Sequence, residues 1–327
     1  MSKVVIGDLD IFYLSYDEPN KEEHWANLLQ KFPFAKRVDG VKGFDAAHKE
    51  CATQSDTERF VTIDGDNIVS DEKFFDLEIA IPDTQDLSNS VISWSAKNIV
   101  NGLVYGNGGI KCWPKQLVLD MKTHENADNE SKALDFCWDL NYIQMNNVYS
   151  HVFNAGSPFQ AFRAGYREGV KMSLDQGHVI PVEDFKKRIW PKNYDRLLTW
   201  MNIGADVENG IWAVYGARLG CHETNLIKKL PIDAISDYDW FKKYFEEQIF
   251  PAFEGGDEYC PRTKVRWDYD KLYDSIIEVG DELYERMNME ICDPTPELSS
   301  FFKKVYVNPP RVRDPMATEK QTGWSGH

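Results

Sequence analysis

Phe60-Val61-Thr62-Ile63-Asp64-Gly65-Asp66 is a compact apolar run that stops abruptly on two carboxylates separated by a glycine. Its apolar half reads as a strand. Open α/β sheets bind ligands beyond the carboxyl ends of their strands, which is where these acids stand. Two carboxylates one residue apart can share a hard divalent cation, directly or through water. Ions of the Mg2+ or Mn2+ kind take such oxygen ligands and bridge to substrate phosphates. Gly65 permits a tight turn and a close approach of backbone to ligand. Spacing excludes a calcium loop of the EF-hand type: positions six and twelve, which need glycine and glutamate, are Val69 and Phe75. An acidic pair alone is common in acidic chains and often only a solvated loop, so its surroundings decide its meaning.

Upstream, Ile11-Phe12-Tyr13-Leu14-Ser15-Tyr16 reads as a strand broken by Asp17-Glu18-Pro19-Asn20. Helical spacing follows over His24 to Phe32 (Trp25, Leu28, Leu29, Phe32) and over Phe44 to Thr53, with a short strand or turn from Lys36 to Val41 between them. Downstream, Leu77 to Ile81 and Val91 to Trp94 are further strands. This alternation predicts an α/β layer, a mostly parallel sheet flanked by helices. Ser157-Pro158 is a helix start, serine as cap and proline in the first turn, with Gly177 as a stop. Beyond it, Asp195 to Asn202, Glu208 to Leu219, Asp237 to Phe253 and Asp268 to Met287 read as amphipathic helices. The expected division is 1–177 for the sheet domain and 178–327 for a mainly helical domain with an extended tail from Pro309.

The 327 residues suffice for a sizeable core, and 42% hydrophobic with 13% aromatic content is too much for disorder. No run approaches the roughly 18–20 apolar residues of a membrane span, and the N-terminus lacks a signal peptide's apolar core. The expectation is a cytoplasmic protein without membrane contact. Its six scattered cysteines are then reduced thiols. A net charge of −16 argues against broad binding to nucleic acid, though not against one local basic groove.

The stretch from Arg37 through Asp45-Ala46-Ala47-His48 to Ile63-Asp64-Gly65-Asp66 resembles glycosyltransferases of the GT-A (Rossmann-like) fold, and the resemblance covers roughly residues 9–175. It implies a nucleotide-sugar-binding catalytic domain, a UDP-sugar donor, and Mn2+ or Mg2+ held by Asp64 and Asp66. The strand ending at Ser15-Tyr16-Asp17-Glu18 would meet the nucleotide, Tyr16 stacking on the base and Asp17 or Glu18 accepting a base or ribose hydrogen bond. Lys42 and Gly65 would also lie against the donor. Some members complete the metal shell with a downstream histidine, here His151; a lone histidine is otherwise a structural residue. Gln160-Ala161-Phe162-Arg163 resembles the Gln-x-x-Arg element of related transferases, although Ala164 stands where a tryptophan is usual. Arg163, Arg167 and Lys171, four apart, would face the diphosphate or simply solvate the helix.

Gly106-Asn107-Gly108-Gly109, between Tyr105 and Trp113, suits either a backbone passing close to a sugar (Asn107, Gly108, Gly109) or a hairpin turn. Asp135 and Asp139, four apart, would share one helix face. The resemblance implies a carboxylate there as general base, Asp139 first and Asp135 second; an exposed helix face is the alternative. Lys186, Lys187, Arg188, Lys192 and Arg196, interleaved with Trp190 and Tyr194, form a basic segment able to contact duplex DNA; solvated helix ends explain it equally. Trp94-Ser95-Ala96-Lys97-Asn98 and Gly106-Asn107-Gly108-Gly109 resemble bacteriophage-encoded glycosyltransferases. That resemblance implies a 5-hydroxymethylated pyrimidine in phage DNA as acceptor, reached in the host cytoplasm. The alternatives are a transferase acting on a surface glycan or small acceptor, and a non-catalytic carbohydrate- or metal-binding module.

Overall fold

The computed structural model describes residues 2–123, 140–228, 231–307 and 317–322. The chain is α/β, built on a curled seven-stranded sheet of order β3-β2-β4-β8-β7-β9-β5. Its strands are β2 (Asp10–Ser15), β3 (Lys36–Asp39), β4 (Arg59–Asp64), β5 (Asn67–Val69), β7 (Ser90–Asn98), β8 (Val104–Pro114) and β9 (Asn141–Val152). Helices α1 (Lys21–Lys31) and α2 (Phe44–Gln54) form the crossovers that keep β2, β3 and β4 parallel. The sheet is mixed, however, and not mostly parallel. β8 turns back from β7 after a five-residue connection, too short for a crossover, and inserts antiparallel beside β4. β5 likewise pairs antiparallel with β9, and among the later pairings only β7 with β9 is parallel.

Period-two alternation explains the two layers of core around the sheet. Ile11, Tyr13, Val61 and Ile63 face one side, packing with Phe74, Trp94 and Ile110. Phe12 and Phe60 face the other, with Cys51 of α2 and Val118 of α3 (Lys115–Asp120). Leu77 to Ile81 is a strand, as expected, but belongs to a separate antiparallel sheet. There β6 (Leu77–Ile81) lies between β1 (Ser2–Val5) and β14 (Thr318–Gln321). The tail is thus pinned: Glu319 accepts from Trp94 Nε1 at 2.9 Å and from Tyr149 OH at 2.7 Å.

Helix α4 (Pro158–Met172) begins as its sequence predicts, with Ser157 Oγ accepting from Gln160 N at 3.1 Å. It ends before Gly177, because Gln176 and Gly177, both at positive φ, turn a small hairpin of β10 (Leu174–Asp175) and β11 (His178–Val179). The rest is mainly helical: α5 (Phe185–Arg188), α6 (Pro191–Asn202), α7 (Gly210–His222), α8 (Tyr238–Tyr244), α9 (Tyr269–Met287) and α10 (Pro296–Val305). A hairpin of β12 (Glu254–Cys260) and β13 (Val265–Trp267) interrupts it. After α8 the chain passes through a π turn (Phe245–Ile249) and a 3-10 turn (Phe250–Phe253), so the predicted long helix over 237–253 is broken near Pro251. Phe162, Tyr166, Trp200, Trp212 and Phe241 share one core there. Among the described residues no helix is long and apolar enough to cross a membrane, and Cys51, Cys112, Cys221, Cys260 and Cys292 are free thiols.

Helices α4 and α7 approach at backbone contact. A Cβ on Gly165 or Gly169 would overlap the carbonyl oxygens of Ala213 and Ala217, and one on Gly216 or Gly220 those of Phe162 and Tyr166. Since neither helix can yield without moving its core, Gly165→Ala should cost roughly 1–3 kcal/mol. A lowered denaturation midpoint checks this; an unchanged one contradicts the packing.

Candidate functional site

The chain leaves β2 toward β3 on one side and leaves β4 toward β5 at the opposite edge, so a crevice opens beyond the ends of β2 and β4. Asp64 ends β4, and Glu18 lies in the turn after β2. Gly65 fits between them because it lacks a side chain: a Cβ there would sit 2.7 Å from Glu18 Oε2 and 3.1 Å from Ser15 Cα. Its carbonyl oxygen accepts from Tyr13 OH at 2.8 Å, and His24 Nδ1 lies 3.0 Å from the same oxygen, which places that ring's proton on Nδ1. The next carbonyl, of Asp66, accepts from Phe153 N at 2.7 Å. The Asp66 carboxylate accepts from Asn67 Nδ2 at 2.8 Å, and Asn67 Oδ1 accepts from Ser150 Oγ at 3.1 Å.

The turn holds more negative charge than its surroundings balance. Burial, then the carboxylates of Asp64 and Glu18, push Asp66 up to about 7. Burial and Asp64 also raise Glu18, against the opposing hydrogen bond from Tyr16 N at 2.7 Å. Lys111, buried on β8 opposite Thr62, brings its Nζ within 3.5 Å of Asp64 Oδ2. The carboxylates of Glu18, Asp64 and Asp66 outnumber the ammoniums that act on them, Lys111 on Asp66 and Lys21 on Glu18, and Asp64 and Asp66 could share a divalent cation. Asn154 Oδ1 also suits that role, being a buried oxygen on the cleft wall with no hydrogen-bond partner among the described residues. His151 does not line this cleft. Its neighbour Val152 does, and adjacent strand residues point to opposite faces. Its ring lies 6.5 Å from that of Phe153, and burial lowers its pKa. Among the described residues no group of three His, Cys, Asp or Glu side chains is drawn together as a ready-made metal cage.

Helix α4 forms the opposite wall. Arg163 and Arg167 line the cleft, and the Nε of each is buried with no hydrogen-bond partner among the described residues. Burial and then Arg167 lower Arg163 to about 9, while Asp66 and Glu18 act across the cleft in the other direction. The Arg163 guanidinium rests 5.2 Å from the centre of the Tyr238 ring. A pair of cations short of hydrogen-bond acceptors, facing a cation-deficient acidic turn, has the polarity to hold a phosphate between them. The cleft measures about 1560 Å³.

The remaining predicted residues divide. Ser15, Tyr16, Asp17 and Lys42 line the cleft but are engaged. Ser15 Oγ donates to Asp39 Oδ1 at 2.7 Å, and Tyr16 meets Tyr238 edge-on at 5.6 Å. Asp17 accepts from Tyr238 OH at 2.8 Å and pairs with Lys242 at 3.0 Å, while Lys42 pairs with Asp239. Helix α8 therefore closes this end. Gly106 to Gly109 form no hairpin turn; they lie within β8 beside a register shift of β7. Gly108 lines the cleft, and its Cβ would strike the backbone of Ala96 and Trp94. Gly109 leaves space for Asn67 and thereby for the bond to Asp66. Asp135, Asp139 and the Asn107 side chain lie outside the described residues.

None of the six basic-segment candidates lines the cleft. Lys186 pairs with Glu290 at 2.7 Å, Lys187 with Asp184 at 3.6 Å and Arg188 with Asp175 at 2.7 Å. Lys192 lies over Trp190, and Arg196 over the Tyr105 ring. Sequence reasoning gave no role to Lys111, Asn154, Glu168 or Tyr238. Only Lys111 carries a signal, a lone lysine inside an apolar strand; the others depend on how separate elements meet.

Comparisons of this chain with protein families, with curated proteins and with solved structures return no match.

Since Asp66 normally titrates near 3.8 and here near 7, the folded chain holds an extra proton between those values. Without cation, its stability falls as pH rises through that window. Asp66→Asn should therefore melt higher than wild type at pH 8 in chelator, and the gain should vanish toward pH 4. Thermal denaturation across pH checks this; a gain independent of pH contradicts the charge argument.

Proposed function

We propose that this chain is a cation-dependent glycosyltransferase of the GT-A kind, moving a sugar from a UDP-sugar to a hydroxyl acceptor. The observation that carries the reading is the opposition, across one cleft, of the Asp64-Gly65-Asp66 turn and the under-bonded guanidiniums of Arg163 and Arg167. A diphosphate is a ligand that both walls can satisfy at once. Mn2+ or Mg2+, bound by Asp64 and Asp66, would neutralise charge on the departing diphosphate. Arg163 and Arg167 would stabilise that charge from the other side. The end of the cleft closed by Tyr16, Asp17, Lys42 and Tyr238 suits the nucleoside. The volume of about 1560 Å³ exceeds the roughly 300–1,000 Å³ of single-ligand pockets and leaves space for an acceptor.

The rim favours a compact hydroxyl acceptor, such as a sugar, over duplex DNA. The basic segment expected to grip DNA is largely neutralised by Glu290, Asp184 and Asp175 and lies off the cleft. Incubation with Mn2+ and a panel of UDP-sugars, with compact sugar acceptors and separately with hydroxymethylated duplex DNA, tests both parts. The expected outcome is cation-dependent UDP release that rises with a compact acceptor, reduced about 100-fold or more by Asp64→Ala or Asp66→Ala. Release equal in wild type and both variants would refute the function. Stimulation by the DNA alone would reassign the acceptor.

A further inference from the structure

Resting on that reading, the geometry points to Glu168 as the carboxylate that takes the acceptor hydroxyl's proton, with Tyr105 as the residue that positions it. Helix α4 presents two neighbouring ridges to the cleft: Arg163, Arg167 and Lys171 on one, Gln160, Ala164 and Glu168 on the other. Its N-terminal turn adjoins the acidic turn's end of the cleft, where Gly156 packs against Pro19 and Asn20. Glu168 lies five positions after Arg163, about 7.5 Å along the axis. Arg167, which also faces the diphosphate, precedes Glu168 by one position, and Glu168 stands on the neighbouring ridge rather than on that of the two arginines.

The other carboxylates that line the cleft among the described residues have different engagements. Glu18, Asp64 and Asp66 make up the acidic turn. Asp17 and Asp239 are paired with Lys242 and Lys42. Asp237 caps α8, and Asp233 and Glu246 stand exposed on the rim. Glu168 is half-buried and pairs with no cation among the described residues. Its Oε2 accepts from Tyr105 OH, whose oxygen in turn accepts from Trp200 Nε1 at 2.7 Å. The Arg196 guanidinium lies over the Tyr105 ring, 4.7 Å from its centre. Burial and then the Glu168 carboxylate hold Tyr105 far above its usual titration range, so it stays a donor. Oε1 has no hydrogen bond to a described residue, and Tyr105, Gly106, Gly108 and Trp200 line the cleft beside it. One oxygen is anchored and the other has no partner among the described residues, on a residue that lines the cleft, an arrangement suited to a general base.

The step balances. The acceptor hydroxyl oxygen forms its bond to the anomeric carbon while its proton passes to Glu168 Oε1. The bond from that carbon to the diphosphate oxygen breaks, and its electron pair leaves with the diphosphate, facing Arg163 and Arg167. The neutral Glu168 then returns its proton to solvent. A single displacement of this kind inverts the anomeric centre.

Three readouts test it on the full chain with Mn2+ and whichever UDP-sugar wild type turns over. Glu168→Gln should lower kcat for UDP release about 10²–10⁴-fold, with calorimetric UDP affinity within about twofold of wild type. Tyr105→Phe, which removes a hydrogen bond to the ionised carboxylate, should move the acid limb of the pH–rate profile upward. NMR of the glycosylated product should show the inverted anomer. Wild-type kcat in Glu168→Gln, loss of UDP affinity in parallel with kcat, a retained anomer, or an unmoved acid limb each overturns the assignment. So does an Asp139→Asn variant that alone abolishes turnover. A wild-type chain that releases UDP from no donor overturns the proposed function itself, and Glu168 with it.

Discussion

The Gly65 peptide cannot move. Its Cα is pressed against Glu18 and Ser15, and its carbonyl oxygen is held by Tyr13 from β2 and His24 from α1. The adjoining carbonyl of Asp66 is held by the Phe153 amide just beyond β9. Three separate pieces of chain therefore converge on one turn and fix the backbone that carries both carboxylates, while Asn67 and Lys111 meet the carboxylates themselves. Such fixed placement is what a cation or phosphate site requires, since a loosely held carboxylate would lose binding energy in being ordered.

That rigidity has an electrostatic consequence. With the Asp66 carboxylate buried beside those of Asp64 and Glu18, and Lys111 only partly offsetting them, the folded chain disfavours full ionisation of its own turn, and Asp66 is pushed up to about 7. The opposite wall carries the complementary fault, two guanidiniums whose buried Nε groups have no acceptor among the described residues. Each wall alone is unfavourable in the empty protein. A metal-bound diphosphate would relieve both, consistent with the proposed donor. Strain kept at a site and offset by packing elsewhere, here by the glycine-lined contact of α4 with α7, is common at functional centres.

Much of the local structure was legible in the sequence, because its signals are local. The apolar run ending at Asp64 is a strand, Ser157 caps α4, and the helical spacings over Phe44 to Thr53 and Asp268 to Met287 correspond to α2 and α9. Strand partnership was not legible: nothing local tells β8 to insert antiparallel beside β4, and the sheet was expected to be mostly parallel. The same limit hid Lys111, whose approach to Asp64 follows from that register, and Tyr238, which reaches Asp17 across 221 positions. Gly106 to Gly109 were read as backbone close to a sugar or as a hairpin turn, and their close approach to the neighbouring strand was hidden because it demands the same residue. The basic segment looked unusual only until its acidic partners, remote in sequence, were brought beside it.

We propose that one diphosphate is held by the Asp64-Gly65-Asp66 turn through a divalent cation and by Arg163 directly. Calorimetric titration of UDP into the full chain, with and without saturating Mn2+, tests it most directly, because binding is read without knowing sugar or acceptor. The expected result is UDP binding strengthened at least about tenfold by Mn2+, with reciprocal strengthening of Mn2+ by UDP. This coupling is expected to disappear in Asp66→Asn. UDP affinity indifferent to Mn2+, or coupling unchanged in that variant, would contradict the proposal.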